Sequence, residues 1–508
     1  MAPAANGSRC FAVWPWQRYL ARRSRDISHL GGRRAYSARM GRLLFGALIA
    51  IGAGGFGGCG SNPSVPGPRP LPTLALGGAA PYFTVDGTPR VVMSRNITGT
   101  SVGAIEQLID QASGAGDTLI RLHVIQGLGA GVASGGAVDP EWAASWDQVF
   151  DHAAQAGLYV APVFAVWADW NDGTPDYGFA NWAMNPWNSA NGGPATDPSE
   201  LWQAGTAVRE GWMAWLGALV DRWQGRPNIA AWEVFSELDI ATGADETSGA
   251  AFAAEAAGVV RGKDAGQRPV MASLTALNDW PALNSSDAVD ILQIHGYADP
   301  LDTYLINHVG ALLNEYGKPV LIGESGLSAA APTGGTATTE PNAALDVRHA
   351  IWAGVVSGAI NARGLWWEDG YAVYEPPGVA FVNSYADAES RAATFVGQLD
   401  FTGVTPLAVS LSADLVGGAV GSAARIIGWV RSGACTAPAA ACDRPLTGET
   451  IGISLPGAAS TWTATFFDTS TGHRMSSAGT ATGDGESVTL MLPTFSDDLA
   501  FVLVPSAA

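Results

Sequence analysis

From about residue 90 to residue 400 the chain alternates short apolar runs with longer stretches of helical periodicity. Eight runs read as strands: Arg90–Asn96, Leu119–Val124, Leu158–Val166, Ile229–Phe235, Pro269–Leu274, Val289–His295, Pro319–Gly323 and Gly364–Trp367. Continuous apolar runs of this kind suit parallel strands covered on both faces. Between the third and fourth, Trp212, Trp215, Leu216, Leu219, Val220 and Trp223 fall at helical spacing and form one apolar face that ends near Gly225 and Pro227. Those tryptophans read as core. Eight strands alternating with helices predict an α/β fold of the TIM (β/α)8 barrel type over residues 81–400. Past residue 400 the period changes. Arg425–Val430, Ile451–Ser454, Thr461–Asp468, Ser487–Leu492 and Leu499–Val504 alternate in polarity and are separated by Gly, Asp, Pro and Thr clusters. This pattern predicts a small antiparallel β-sandwich over residues 401–508.

Residues 1–58 read as a targeting region rather than as part of the fold. Met40-Gly41-Arg42 precedes an apolar run, Leu43 to Gly58, that is shorter than the ~20 residues a spanning helix needs. The segment 40–58 therefore reads as a signal peptide. Phe56-Gly57-Gly58-Cys59 resembles a bacterial lipoprotein cleavage box, with Phe56 where Leu is commonest, and makes Cys59 the expected lipidated residue. A Pro/Gly/Ser-rich tether, residues 59–80, follows. Export to the cell envelope with a lipid anchor is expected; cleaved secretion and a retained anchor are the alternatives. Residues 1–39 carry eight arginines and do not read as a folded segment, which leaves Met1 and Met40 both open as the start. The pair Arg22-Arg23 lies poorly spaced from the apolar run for a twin-arginine signal.

Charge narrows the partners. The chain has 27 basic and 46 acidic residues, a net −19. Nine arginines and one aspartate precede Cys59, so 18 basic against 45 acidic residues follow, a net −27. Such a surface argues against nucleic acid or an anionic membrane as partner, and leaves membrane contact to a lipid anchor alone. A neutral polysaccharide or oligosaccharide is compatible with it. Cys10 falls in the targeting region, while Cys435 and Cys442 stand in a Gly/Ala/Pro-rich loop with six residues between them. In an exported chain that pair reads as a local disulfide rather than a metal site. No metal-ligand spacing is evident in the sequence, and no cofactor is expected.

Two strands share an unusual ending. Ile229-Ala230-Ala231-Trp232-Glu233-Val234-Phe235-Ser236-Glu237 and Pro319-Val320-Leu321-Ile322-Gly323-Glu324-Ser325-Gly326 each deliver a glutamate at the carboxyl end of an apolar run. In this barrel those ends face the active site, and paired carboxylates there suggest glycoside hydrolysis. Trp232 to Glu237 resembles the strand-four signature of clan A glycoside hydrolases, usually Trp-Glu-Leu-x-Asn-Glu. Ile322-Gly323-Glu324-Ser325-Gly326 resembles their strand-seven signature, and Gln293-Ile294-His295-Gly296-Tyr297 the strand-six His-x-Tyr of glycoside hydrolase family 5. Asn185 to Pro194 is similar to a stretch of bacterial family 5-like and β-mannanase-like proteins. Phe466–Gly472 and Leu492–Ala500 resemble small β-domains appended to bacterial glycosidases.

The resemblance covers roughly residues 80–400 and implies roles. Glu324 would be the nucleophile and Glu237 the acid/base of a retaining enzyme acting on a β-linked glycan, of the β-mannan or β-glucan class. An exo-acting β-glycosidase and a catalytically silent glycan-binding lipoprotein are the rivals. Ser236 stands where the family has an Asn that reaches the sugar 2-hydroxyl. Of Trp366 and Trp367, Trp366 is taken as the ring under the sugar. Arg121, a cation in a buried strand, is expected to hold Glu324 ionised, a purely structural ion pair being the alternative. Tyr297 is expected on the nucleophile and His295 on the sugar or the acid/base, a satisfied core histidine being the alternative. Glu233 is expected on the same strand face as Phe235 and Glu237, paired inside the barrel. Finally, the loop after strand three carries Trp167, Trp170, Asn171, Asp172, Trp182 and Trp187. It reads either as stacking platforms, with Trp167 and Trp170 binding sugar, or as a self-packed aromatic cluster.

Overall fold

The computed structural model describes residues 71–506 except 78–80, 100, 126–127, 130, 172–180, 276–277, 299, 327–341, 367–381 and 437–441, with 342–344 and 382–385 described by backbone alone. The targeting segment and Cys59 lie outside the described residues.

Seven strands form most of a parallel barrel: β1 (Ser94–Ile97), β2 (Leu119–His123), β3 (Tyr159–Val163), β4 (Trp232–Phe235), β5 (Val270–Ala272), β6 (Leu292–Tyr297) and β7 (Val320–Gly326). The pairs β1 to β5 run in sequence order, and β6 pairs with β7, all in parallel. Among the described residues the eighth position holds no regular strand. Residues 360–366 close the ring through single bridges, Asn361 to Val92 beside β1 and Leu365 to Ser325 of β7. Backbone bonds from Ile360 to Val320 and from Trp366 to Ser325 complete the seam. The predicted strand Gly364–Trp367 is thus shifted toward the N-terminus, and Trp367 itself lies outside the described residues.

Helices follow the strands in order: α1 (Val102–Ala115), α2 (Pro140–Gln155), α3 (Ala207–Trp223), α4 (Glu246–Lys263), the short α5 (Pro281–Asn284), α6 (Leu301–Tyr316), α7 (Asn342–Ser357) and α8 (Val382–Gly397). Their starts are set by the sequence. Ser101, Asp139, Thr206 and Asp245 each accept a backbone N–H of the first turn, and Pro140 sits where its missing N–H costs nothing. Trp212, Trp215 and Trp223 of α3 are buried, as their spacing implies. A three-stranded antiparallel sheet (Leu74–Leu76, Phe83–Val85, Thr88–Arg90) precedes the barrel. Phe83 joins Val92, Leu119, Tyr159, Met271, Leu321 and Ile360 in one apolar cluster at the N-terminal end of the barrel.

Among the described residues beyond 400, nine antiparallel strands form one sheet. Its two outermost strands, Thr405–Leu407 and Val409–Leu411, are consecutive in the chain with Ala408 alone between them. The sheet therefore curls until its edges nearly meet, enclosing Trp462, Phe466, Phe501, Ile451 and Leu490 as a sandwich-like core. Cys435 and Cys442 are joined by a disulfide beside Leu345 of α7.

Candidate active site

Both glutamate-bearing strands carry a bulge just before their ends. In β7, Ile322 pairs with Ile294 and Glu324 with His295, so Gly323 is an extra residue. A β-carbon on Gly323 would lie 2.0 Å from Gln293 Oε1, so a larger residue there would have to displace the Gln293 side chain. In β4, Glu233 pairs with Met271 and Phe235 with Ala272, so Val234 is the extra residue. A bulge of one residue reverses the faces beyond it. Glu233 points into the barrel, whereas Phe235 points out and packs on Trp202 and Phe252. The expectation that Glu233 and Phe235 share a face is corrected accordingly.

The centre of the barrel is a charged network around Arg121 of β2. Its guanidinium grips Glu233 with two bonds of 2.6 Å and donates to Glu324 Oε1 at 2.9 Å, to Asn96 Oδ1 at 3.1 Å and to Ser236 Oγ at 2.9 Å. Burial disfavours its charge, but Glu233 and Glu324 outweigh that and raise its pKa. His123 lies on the same face, with Nε2 3.0 Å from Arg121 Nη1. Burial, then Arg121 and His295, push His123 well below the usual histidine range. A neutral ring can face this cation with an unprotonated Nε2, since a guanidinium only donates.

Glu324 receives a second donor, the Tyr297 hydroxyl at 2.8 Å on Oε2. His295 Nδ1 stands 2.9 Å from Glu237 Oε1 and 3.5 Å from Glu324 Oε2. Burial pulls His295 down, but Glu324 and Glu237 outweigh it and raise its pKa. One atom from each of Glu237, His295 and Glu324 falls within 4.8 Å of the others, a grouping of possible metal ligands that the linear spacing does not reveal. Arg121 already supplies the positive charge beside Glu324. Burial raises the pKa of Glu237; the bond from His295 opposes this, and the charges of Glu324 and Asp239 add to it. Glu237 adopts the left-handed backbone region, φ 60° and ψ 59°. That conformation costs on the order of 1–3 kcal/mol for a residue with a β-carbon, and such strain clusters at functional sites.

Two expected sugar contacts, Ser236 and Trp170, are turned away from the cleft, and Trp366 is as buried as Glu324. Ser236 is fully buried, its hydroxyl turned inward to Arg121 and 3.5 Å from Ser273 Oγ. The short side chain fits under the turn, where it serves the ion network rather than the cleft. Trp366 is 5% exposed and meets His123 edge-on, at 4.9 Å between ring centres. Trp170 is shut away against Trp182, ring centres 5.6 Å apart, so it offers no open platform. Trp182 and Trp187 are buried too, and of these four tryptophans Trp167 alone is partly exposed. The Asn185–Pro194 stretch explains this. Asn188 Nδ2 donates to Trp182 O, Asn191 Nδ2 to Ala183 O and Asn185 O, and Asn185 Nδ2 to Asp169 O. Gly193 lets the chain pass so close that a β-carbon would sit 2.1 Å from the Trp187 carbonyl carbon. The motif builds a loop. Asp172 lies outside the described residues.

Sequence reasoning passes over Asn96, His123 and Ser273. Asn96 Nδ2 ties Gly323 O and Leu365 O together, joining β1, β7 and the closing segment. Ser273 Oγ accepts the Glu237 N–H at 3.0 Å. Polar residues at inward positions of buried strands are the available signal.

This architecture recurs in solved structures. A glycoside hydrolase of family 5 from Bacteroides vulgatus ATCC 8482 is 13% identical at a TM-score of 0.57, over 86% of this chain and 95% of that one. The chain has the fold of that glycoside hydrolase. A second glycoside hydrolase matches at 13% identity and a TM-score of 0.56, over 86% of this chain and 98% of the other. A putative glycoside hydrolase, also from Bacteroides vulgatus ATCC 8482, matches at 13% and 0.53, over 85% and 82%. No protein-family model and no curated protein matches the sequence.

Proposed function

We propose that the protein is a retaining glycoside hydrolase acting on a β-linked glycan, with Glu324 as nucleophile and Glu237 as acid/base. The observation that carries this reading is the close approach of the two carboxyl groups, with oxygens within 4.8 Å. Retaining enzymes hold them ~5–5.5 Å apart, whereas inverting enzymes leave ~6.5–9.5 Å for a water between them. In the first step Glu324 attacks the anomeric carbon, Glu237 gives its proton to the departing oxygen, and a glycosyl ester forms. In the second, Glu237 takes a proton from water, whose oxygen attacks the same carbon and releases Glu324. Arg121 and Tyr297 orient the nucleophile through its two oxygens, and His295 holds the acid/base. The β-mannan or β-glucan class rests on the sequence resemblance, and a panel of polysaccharides decides between them.

Glu324→Ala is expected to abolish turnover. Glu237→Ala should lose most activity and regain part of it with azide, which attacks the glycosyl ester without needing a base. Proton NMR of the first product should show retained configuration. Inversion, or unchanged activity in either variant, contradicts the assignment.

We infer from the sequence alone that the chain is exported and lipid-anchored through Cys59. Intact-mass analysis of the membrane-extracted protein should give a lipid-modified species beginning at Cys59; a soluble product, or another first residue, excludes it.

A further inference from the structure

We propose that Asp239 is a positioning residue for the acid/base: its carboxylate clasps the turn after β4 to the loop after β5, and so holds Glu237 in place. The proposal rests on the retaining reading above. A left-handed glutamate must be held by its surroundings, because its own backbone preference opposes that conformation. Ser273, next after β5, supplies one hold: its Oγ accepts the Glu237 N–H at 3.0 Å, and its carbonyl accepts the Leu238 N–H at 3.0 Å. Asp239 supplies the other, in the opposite direction. Its Oδ1 accepts the Thr275 N–H at 2.8 Å, while Oδ2 accepts from the Thr275 hydroxyl and from Asn278 Nδ2 at 2.5 Å. Ser273 fixes where Glu237 begins, and Asp239 fixes the path by which the chain leaves it.

The same carboxylate brings a charge close to Glu237. The groups facing Glu237 are His295 from β6, Glu324 from β7 with Arg121 of β2 behind it, and Asp239 from its own turn. Asp169 stands on the turn after β3, which packs on residues 238–240, and burial pushes it up to about 8. Burial dominates the raised pKa of Glu237, and the Asp239 charge acts in the same direction. A general acid must be protonated to work, so a raised pKa extends activity toward alkaline pH. Neutralising Asp239 therefore moves the alkaline limb of kcat/KM to lower pH.

The test compares full-length Asp239→Asn, Asp239→Ala and Glu237→Ala with the parent protein. The probes are phenyl and 2,4-dinitrophenyl β-glycosides of glucose, mannose and their β-1,4-linked disaccharides. Dinitrophenolate leaves without a proton and phenolate does not. Asp239→Ala should lower kcat/KM about tenfold or more on the phenyl glycosides and within about twofold on the dinitrophenyl ones, forfeiting part of the ~10²–10⁴-fold that a placed acid supplies. Asp239→Asn, which keeps the shape, should chiefly move the alkaline limb downward. Equal losses on both leaving groups, or an alkaline limb that stays put in both variants, would overturn the clasp. Glu237→Ala separates the two levels. If it too lacks leaving-group selectivity, Glu237 is not the acid, and if the parent turns over none of these glycosides, the β-glucoside and β-mannoside class is excluded; in either case the functional reading above fails.

Discussion

Ser236 occupies a fully buried site between the Arg121 guanidinium and the Ser273 hydroxyl. An asparagine there adds a carboxamide to a space that holds a single hydroxyl. Overpacking of this kind costs ~1–3 kcal/mol, and here the strain would fall on Arg121, which also orients Glu233 and Glu324. Ser236→Asn is therefore expected to lower both the thermal midpoint and kcat/KM. An increase in kcat/KM on the best panel substrate would mean that the larger amide finds room in the cleft. At this scale the sequence is informative about which residues carry charge and less so about what they touch. Arg121 and Glu233 are legible as a buried pair, because charges inside apolar strands need partners. The inward turn of Ser236 is not, since nothing in a hydroxyl indicates which neighbour it will serve.

The strands are legible because buried parallel strands are written as unbroken apolar runs, and seven of the eight candidates overlap a regular strand. The bulges at Val234 and Gly323 leave no such mark. Each adds one residue without changing the apolar character of its run, so a strict alternation of faces carried through Val234 puts Phe235 on the wrong side. Yet these bulges bracket the site: each extra residue re-aims the side chains beyond it, Ser236 and Glu237 just after β4 and Glu324 in β7. The aromatic loop is ambiguous for a different reason. A run of tryptophans and asparagines fits a sugar platform or a self-packed knot equally well, and only the bonds from Asn185, Asn188 and Asn191 to loop carbonyls decide for the knot at Trp170. In the C-terminal sheet, Leu415–Ser422 and Arg474–Gly483 escape the pattern because Gly, Ser and Thr replace the apolar alternation that identifies their neighbours.

At the scale of the whole molecule, the curled sheet is fastened to α6 by a buried ion pair and to α7 by partly buried ones. Arg431 of the sheet grips Asp302 at the start of α6, both almost fully buried. From α7, Arg348 pairs with Asp497 and, at 3.1 Å, with Asp498, while His349 Nε2 stands 3.0 Å from Asp497. Burial alone would raise the carboxyls of Asp302 and Asp497, but Arg431 for the first, and His349 and Arg348 for the second, outweigh it and hold both below the usual carboxylate range. Linkage sets the sign of the effect on stability. A carboxyl whose pKa is lower folded than unfolded adds stability that is present above the unfolded value of ~3.9 and disappears as pH falls toward the folded one. The thermal midpoint should therefore fall steeply below about pH 4, where these two groups take up protons on unfolding. Buried ion pairs are poor stabilisers at neutral pH, because desolvating two charges offsets much of their attraction. Replacing both partners of one pair, Arg431→Met with Asp302→Leu, should leave the neutral-pH midpoint within a few degrees of the parent while flattening the acid limb. Arg431→Met alone strands Asp302 and should cost ~3–5 kcal/mol at neutral pH. A double variant with the parent's full acid sensitivity would show that the acid limb arises elsewhere than at Asp302.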